Sequence, residues 1–394
     1  MRAIPRADVT SPTLACLLFL GCTDPVAATT DPGATASGAA SGDTGPNGSD
    51  TTHDDDDDGS GDDDDNDNDN DNDDDDNDDD DNDNDNDNDN DNDDDDGDGD
   101  GDGDGDGDGD NGESTDIDCN DLLPLPIEGN YLSHVPAAED FVFDAKGYLY
   151  GADELGDLRR TPYAGTSELI VPGLAKPFSR GLRFLPGGDL VHARPEEGDL
   201  VRITPEGAVS KIITNLPNPN GVAVGLDGIV YLTHGEGEIR RIDPETGAST
   251  VLYASSDESF DGITFNPSYD ALYFNEEAGA IWKMTVADDG TAGAPEQVAS
   301  LSPMLALDGM TMDICGNLYV VDMTLGVWRV TPDGDAELAT EFDSFNGGEF
   351  FFPAANFGSG KGGWKRRALY VMDFGGGVYE VDLDVPGMPQ PHIF

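Results

Sequence analysis

Residues 306–322 read ALDGMTMDICGNLYVVD, and the parsing of that phrase decides the fold. A polar step, Asp308-Gly309, leads into apolar alternation at Met310 and Met312. A Cys315-Gly316-Asn317 turn follows, and then the β-rich run Leu318-Tyr319-Val320-Val321. Two runs of period two joined by a Gly/Asn turn make a β-hairpin. The same phrase opens at Glu139-Asp140-Phe141, Arg180-Gly181-Leu182, Asn220-Gly221-Val222 and Asp261-Gly262-Ile263, each with a polar head before its first strand. A sixth copy, around Ala354-Ala355-Asn356-Phe357, carries a Gly/Lys-rich insertion before Ala368-Leu369-Tyr370-Val371.

The first five heads are separated by 41, 40, 41 and 47 residues. A third strand follows each hairpin, as in Gly326–Val330 or Gly279–Met284, and a looser fourth comes after it. Four strands per period of about 40 residues is the pattern of a propeller blade. The expected fold is therefore all-β, a six-bladed β-propeller of four-stranded blades over residues 113–394, with a strand from before Glu139 completing the last blade. An open β-solenoid would show shorter periods and fewer turn residues.

Residues 1–112 differ in kind. They hold 41 Asp and two Arg, out of a chain total of 85 acidic and 19 basic residues and a net charge of −66. No basic stripe is available to neutralise phosphates, which excludes a nucleic-acid partner, and an anionic membrane surface is disfavoured for the same reason. Residues 1–22 read as an export segment: Arg2 and Arg6, an apolar core from Leu14 to Leu20, then Gly21-Cys22. That core is too short to cross a bilayer as a helix. The ending Leu18-Phe19-Leu20-Gly21-Cys22 resembles a bacterial lipoprotein cleavage site, which implies a lipid on Cys22 and membrane attachment through that lipid; plain secretion is the alternative. Residues 23–112 form a linker, Gly/Ala/Ser/Thr-rich and then almost pure Asp, Asn and Gly from Asp54 to Asp110. Nothing in it can form a core, so the expectation is a solvated polyanionic stalk. Its Asp-Gly alternation lacks the fixed ligand positions and packing residues of calcium loops. Cys119 and Cys315 then remain as an even pair in an oxidising compartment and are expected to form a disulfide.

In a propeller the residue heading each innermost strand stands near the axis, at one mouth of the channel. Here those residues are Glu139, Arg180, Asn220, Asp261, Asp308 and a small residue near Ala354. Glu139, Asn220, Asp261 and Asp308 are oxygen donors from separate blades, a hard ligand set suited to a divalent cation, calcium rather than zinc. Adjacent carboxylates without a cation would raise one another's pKa. The competing reading is that Asn-Gly and Asp-Gly are turn dipeptides and nothing more.

Asn220-Gly221, Asp308-Gly309-Met310 with Gly316–Val320, and Ala368–Val371 together resemble the regucalcin/gluconolactonase family over about residues 135–387. The resemblance implies a six-bladed propeller with one divalent cation in the channel, and hydrolysis of lactones. It matches Glu139, Asn220 and Asp308 to the family's ordered heads, with Asp261 in place of Asn, and it makes Asp308 the candidate general base as well as a ligand. Two positions depart from the pattern: Glu139-Asp140-Phe141 stands for Glu-Gly-Pro, and Asn218 stands where gluconolactonase-type members carry Arg. The expected activity is cation-dependent hydrolysis of a small-molecule lactone or related ester by a monomer. The rival is a non-enzymatic, surface-displayed binding module whose cation is structural. No Gly-x-Ser-x-Gly elbow is present, which disfavours a serine hydrolase. His134, His192 and His234 are candidates for a histidine-assisted lactonase, and the Lys361–Arg367 cluster with Trp364 reads as a solvated insertion loop.

Overall fold

The structure, a computed structural model, describes residues 117–176, 179–235, 237–256, 259–303, 306–342 and 351–393. The export segment with Cys22, and the linker with its Asp54–Asp110 tract, lie outside the described residues. The described residues form six four-stranded antiparallel sheets. After β1 (Asn130–Leu132), blade 1 is β2 (Phe141–Phe143), β3 (Tyr148–Ala152), β4 (Leu158–Pro162) and β5 (Glu168–Val171). Blade 2 is β6 (Arg180–Phe184), β7 (Leu190–Arg194), β8 (Asp199–Ile203) and β9 (Val209–Thr214). Blade 3 is β10 (Pro219–Val224), β11 (Val230–His234), β12 (Glu238–Ile242) and β13 (Ser249–Ala254). Blade 4 is β14 (Phe260–Phe265), β15 (Ala271–Glu276), β16 (Ala280–Thr285) and β17 (Glu296–Ser300). Blade 5 is β18 (Leu307–Met312), β19 (Leu318–Asp322), β20 (Gly326–Val330) and β21 (Ala336–Glu341). Blade 6 takes β22 (Ala355–Phe357), β23 (Ala368–Met372) and β24 (Val378–Asp382) from the C-terminal end, and β1 as its outermost strand.

β1 pairs antiparallel with β24 through Asn130↔Glu380, Tyr131↔Tyr379 and Leu132↔Val378, so the ring closes by hydrogen bonds between the two ends of the domain. Successive innermost strands pack on one another, and β2 meets β22. The six-bladed propeller is thus the fold, and the solenoid is excluded. Burial runs outward along each blade: β19 is buried at every position, whereas β13 and β17 have no fully buried residue. Second strands sandwiched between neighbouring blades therefore need not alternate, and LYVVD is apolar on both faces until its last residue.

The first hairpin turns of blades 1 and 5 are each held by a carboxylate, and that of blade 4 by the Asn266 amide oxygen. In blade 5, Asp313 accepts from Asn317 N (2.9 Å), Asn317 Nδ2 (2.8 Å) and the Tyr319 hydroxyl (3.1 Å), and Gly316 supplies the positive φ of the turn. In blade 1, Asp144 accepts in the same way from Lys146 N and Tyr148 N. Cys119 and Cys315 are joined in a disulfide that ties the segment ahead of β1 to the β18–β19 turn of blade 5. Ile117, Leu122, Leu125 and Ile127 of that segment pack on the apolar cluster shared by blades 5 and 6, and Ile127 N donates to Ala339 O at 2.8 Å.

The Lys361–Arg367 insertion corrects the reading of a wholly solvated loop. Lys361, Lys365 and Arg366 are exposed, but Trp364 is fully buried. Its indole fills the seam between blades 6 and 1, against Phe143, Tyr163 and Tyr370, and its Nε1 donates to Gly147 O at 3.1 Å. A large aromatic is retained there because the seam needs filling and its one polar atom finds an acceptor.

Candidate functional site: the blade heads at the channel mouth

The head dipeptides are not turns. Arg180-Gly181, Asn220-Gly221, Asp261-Gly262 and Asp308-Gly309 lie within β6, β10, β14 and β18, at a break of strand register in each. A β-bulge adds a residue on one strand and re-aims the side chain beside it. Four bulges at equivalent places turn four heads toward one point. The glycines answer a second demand, the close approach of the next blade. A Cβ on Gly181 would stand 2.3 Å from Asn220 O, on Gly221 2.3 Å from Asp261 O, on Gly262 2.7 Å from Asp308 O, and on Gly309 2.8 Å from Pro353 O. Gly181, Gly221 and Gly262 thus each seat the backbone carbonyl of the next head in the ring, Gly309 seats that of Pro353 at the start of blade 6, and the reading of turn dipeptides is corrected.

Glu139, Arg180, Asn220, Asp261 and Asp308 line a single cavity of about 30 Å³. That is room for an ion with one or two water molecules. The structure therefore brings together all four oxygen-donating heads. Asn220, Asp308 and Asp261 are 4%, 7% and 8% exposed, and the Glu139 side chain 10%. Arg180 enters the same cavity: its Nε lies 3.0 Å from Glu139 Oε1, without the alignment of a hydrogen bond.

The electrostatics follow from burial. Burial pushes Glu139 up to about 7, with Asp261 and Asp140 adding to the rise and Arg180 opposing it. Asp261 rises to about 6, again by burial first; Arg180 opposes the rise and Glu277 adds to it. Asp308 is raised well above the ordinary carboxylate range by burial and by the Asp261 and Glu139 charges. The contact between the two side chains raises Asp308 further and works against the rise of Asp261, as does the Asn220 side chain.

The donor chemistry of the heads, three carboxylates and an amide oxygen, fits a hard divalent cation, and the Asp140 carboxylate and the Arg180 and Arg183 guanidiniums line the same cavity. Among the described residues no group of three or more His, Cys, Asp or Glu side chains stands in cation-holding geometry.

Three contributors were not legible as site residues. Asp140 lines the cavity and accepts from Phe141 N (2.8 Å), Leu182 N (2.9 Å) and Arg183 Nη1 (2.7 Å), fastening blade 1 to blade 2. Thr233, on β11, accepts from Gly221 N at 2.9 Å and donates to Asp261 O at 2.5 Å, which fixes the Asp261 backbone. Beside the mouth, Ala137, Ala138, Ala152, Phe351 and Phe374 border a hollow of about 250 Å³ whose wall includes Glu139. No sequence period marks that hollow, because all of its named walls but Ala152, the last residue of β3, come from loops.

None of the candidate histidines lines the cavity. His134 Nε2 lies 3.2 Å from Pro162 O, and His234 is buried at the end of β11 with Nε2 2.9 Å from Glu238 Oε2. His192 is buried in β7, where burial, the largest influence, brings its pKa down to about 4. Asn218 lies outside the lining as well, with a positive φ of 44°. The guanidinium at the mouth comes from blade 2.

Residues 230–343 match the family described as the SMP-30/Gluconolactonase/LRE-like region. That match includes Asp261 and Asp308 and leaves Glu139 and Asn220 outside it. No curated protein sequence matches the chain. Among solved structures, a calcium-binding regucalcin of Agrobacterium tumefaciens is 18% identical with a TM-score of 0.54, covering 68% of this chain and 98% of its own. A gluconolactonase of Xanthomonas campestris is 16% identical with a TM-score of 0.51, covering 68% of this chain and 97% of its own. A luciferin-regenerating enzyme is 14% identical with a TM-score of 0.53, covering 66% and 96%. The resemblance to the regucalcin/gluconolactonase family is thus a shared fold over the propeller and a shared sequence pattern from β11 through blade 5.

Proposed function

We propose that the propeller is a divalent-cation-dependent hydrolase of lactones or related esters, acting at the channel mouth. The observation that carries this is the convergence of Glu139, Asn220, Asp261 and Asp308 on one buried cavity. These four residues would hold the cation, with calcium the best match to an all-oxygen set. When bound, the cation supplies the positive charge that polarises an ester carbonyl and lowers the pKa of water. With the cation held there, Asp308 would be a carboxylate placed to take the proton of a water that attacks the carbonyl carbon, and would return it to the leaving oxygen as the acyl C–O bond breaks. Asn220 and Thr233 keep Asp261 in place by contacts to its side chain and its backbone. The hollow bounded by Phe351 and Phe374 seats the apolar part of the substrate beside Glu139.

The departure at Asn218 and the Arg180–Glu139 pair favour a second reading, a binding module whose cation is structural. A panel of lactones and esters, assayed with calcium on the protein and on Asp308→Asn, separates the two. Turnover by the protein and none by a folded Asp308→Asn supports the hydrolase. Turnover that survives in Asp308→Asn removes that residue from the mechanism, and no turnover of any ester leaves the binding module.

The same reading includes export and attachment through lipid on Cys22. The Cys119–Cys315 disulfide supports an oxidising compartment.

A further inference from the structure

Arg180 is the one head at the mouth that brings a cation instead of an oxygen. It is the first residue of β6, and the bulge at Gly181 turns it inward as it turns the acidic heads of blades 4 and 5. The other guanidinium nearby is committed elsewhere: Arg183 Nη1 donates to Asp140 Oδ2 at 2.7 Å and to Leu182 O at 2.6 Å. Among the described residues, Arg180 is thus the guanidinium left to face the acidic heads. Burial weakens its charged form, but Glu139, Asp261, Asp308 and Glu277 together outweigh that and hold its pKa above the usual value. The contact with Glu139 is close yet poorly aligned, and the Arg180 side chain is 20% exposed against 10% for Glu139. Of the two, the Arg180 side chain is the less enclosed, which makes it the partner that can give way.

We propose that Arg180 is the resident counter-ion of the channel cluster and competes with a divalent cation for Glu139, so that it sets the cation affinity of the site. This rests on the cation-site reading above and goes beyond it. A divalent cation bound to Glu139 would share the small cavity with a permanently charged guanidinium, because Arg does not deprotonate in proteins. Binding the cation therefore requires Arg180 to leave Glu139. The domain folds without the cation because Arg180 already offsets part of the cluster's charge.

The test is thermal unfolding of the full chain, Arg180→Gln and Arg180→Lys, in chelator and across a calcium titration. The Asp-rich tract is common to all three, so differences between them report the propeller. In chelator, Arg180→Gln melts below the parent protein. On titration its melting temperature rises at a calcium concentration at least about tenfold lower than the parent's, through linkage of binding to folding. Arg180→Lys, a point charge without the fork, shifts in the same direction by less. If Arg180→Gln melts as high as the parent in chelator, or needs as much calcium, the proposal is wrong. If Arg180→Gln does not fold, Arg180→Lys decides, and an unchanged midpoint refutes the competition. Equal calcium responses in all three defeat this inference alone, and no response in any of them defeats the cation site with it.

Discussion

Gly221→Ala separates two accounts of the head dipeptides by the sign of its effect. Gly221 has no positive φ, so an alanine there meets no backbone strain of its own. If the glycine were only a turn residue, Ala would stabilise the protein by about 0.4–1 kcal/mol, by restricting the unfolded chain. The structure predicts the opposite. The new Cβ would lie 2.3 Å from Asp261 O, 2.9 Å from Thr233 Oγ1 and 3.1 Å from Ile263 Cγ2. Forced overpacking of this kind costs about 1–3 kcal/mol. Asp261 O cannot retreat without stretching its bond from Thr233 Oγ1, and Thr233 also accepts from Gly221 N. Weakening those two bonds adds about 1 kcal/mol each. After the unfolded-state gain is subtracted, the net loss is about 3 kcal/mol, or a fall in Tm of roughly 5–10 °C for a domain of this size. Guanidinium and thermal unfolding of the full chain, monitored by far-UV circular dichroism, measure it. Gly262→Ala and Gly309→Ala, with approaches of 2.7 and 2.8 Å to the next carbonyl, are expected to lose less. A Gly221→Ala protein as stable as the parent would refute the close-approach argument.

Two further predictions concern the scaffold. The Cys119–Cys315 bond spans 196 residues of chain, a loop long enough for the chain-entropy model to assign it about 5 kcal/mol, so Cys119→Ser/Cys315→Ser is expected to lower the unfolding free energy by about 2–5 kcal/mol in denaturant titration. An unchanged midpoint would mean that the apolar contacts of Ile117, Leu122, Leu125 and Ile127 hold the segment unaided. His192 is buried with a pKa of about 4, against 6.5 when unfolded. The unfolded chain therefore takes a proton that the folded protein refuses, and the stability from neutral His192, whole above pH 6.5, is lost as pH falls toward 4. The loss reaches up to about 3 kcal/mol, and the stability difference between the protein and His192→Leu should change with pH over that window. A difference independent of pH would place the histidine's proton elsewhere.

The blade count was legible because propeller geometry repeats its demands. Every innermost strand of blades 2 to 5 needs a residue without Cβ where the next blade's carbonyl arrives, so Gly181, Gly221, Gly262 and Gly309 recur in phase. Carboxylates recur in the first turns of blades 1 and 5, Asp144 and Asp313, because each turn leaves backbone N–H groups that need an acceptor. What escaped the sequence lies between blades. Trp364 sits in an insertion with no period, and its burial depends on Phe143 and Tyr163 of blade 1, more than 200 residues earlier in the sequence. The Arg180–Glu139 pair likewise joins two heads that are local neighbours only once blades 1 and 2 stand side by side. Thr233 reads as an ordinary strand residue until the bulge in β10 presents Gly221 N to it.

The head glycines also explain how such a site can change its side chains without losing its place. The backbone of each head is set by a neighbour: Asp261 O rests against Gly221 and Thr233, Asp308 O against Gly262, and Asn220 O against Gly181. None of these contacts depends on which side chain the head carries. The position is therefore specified by glycine and the carbonyl of the next blade, and the chemistry by the residue before the glycine. This separation permits Asp261 where the resemblance leads one to expect Asn, and it permits a guanidinium at Arg180 among acids. Substituting the head should alter charge and cation affinity while leaving the fold largely intact, whereas substituting its glycine should damage both. That contrast makes Arg180→Gln and Gly221→Ala complementary: one changes what the cavity holds, and the other changes where it is.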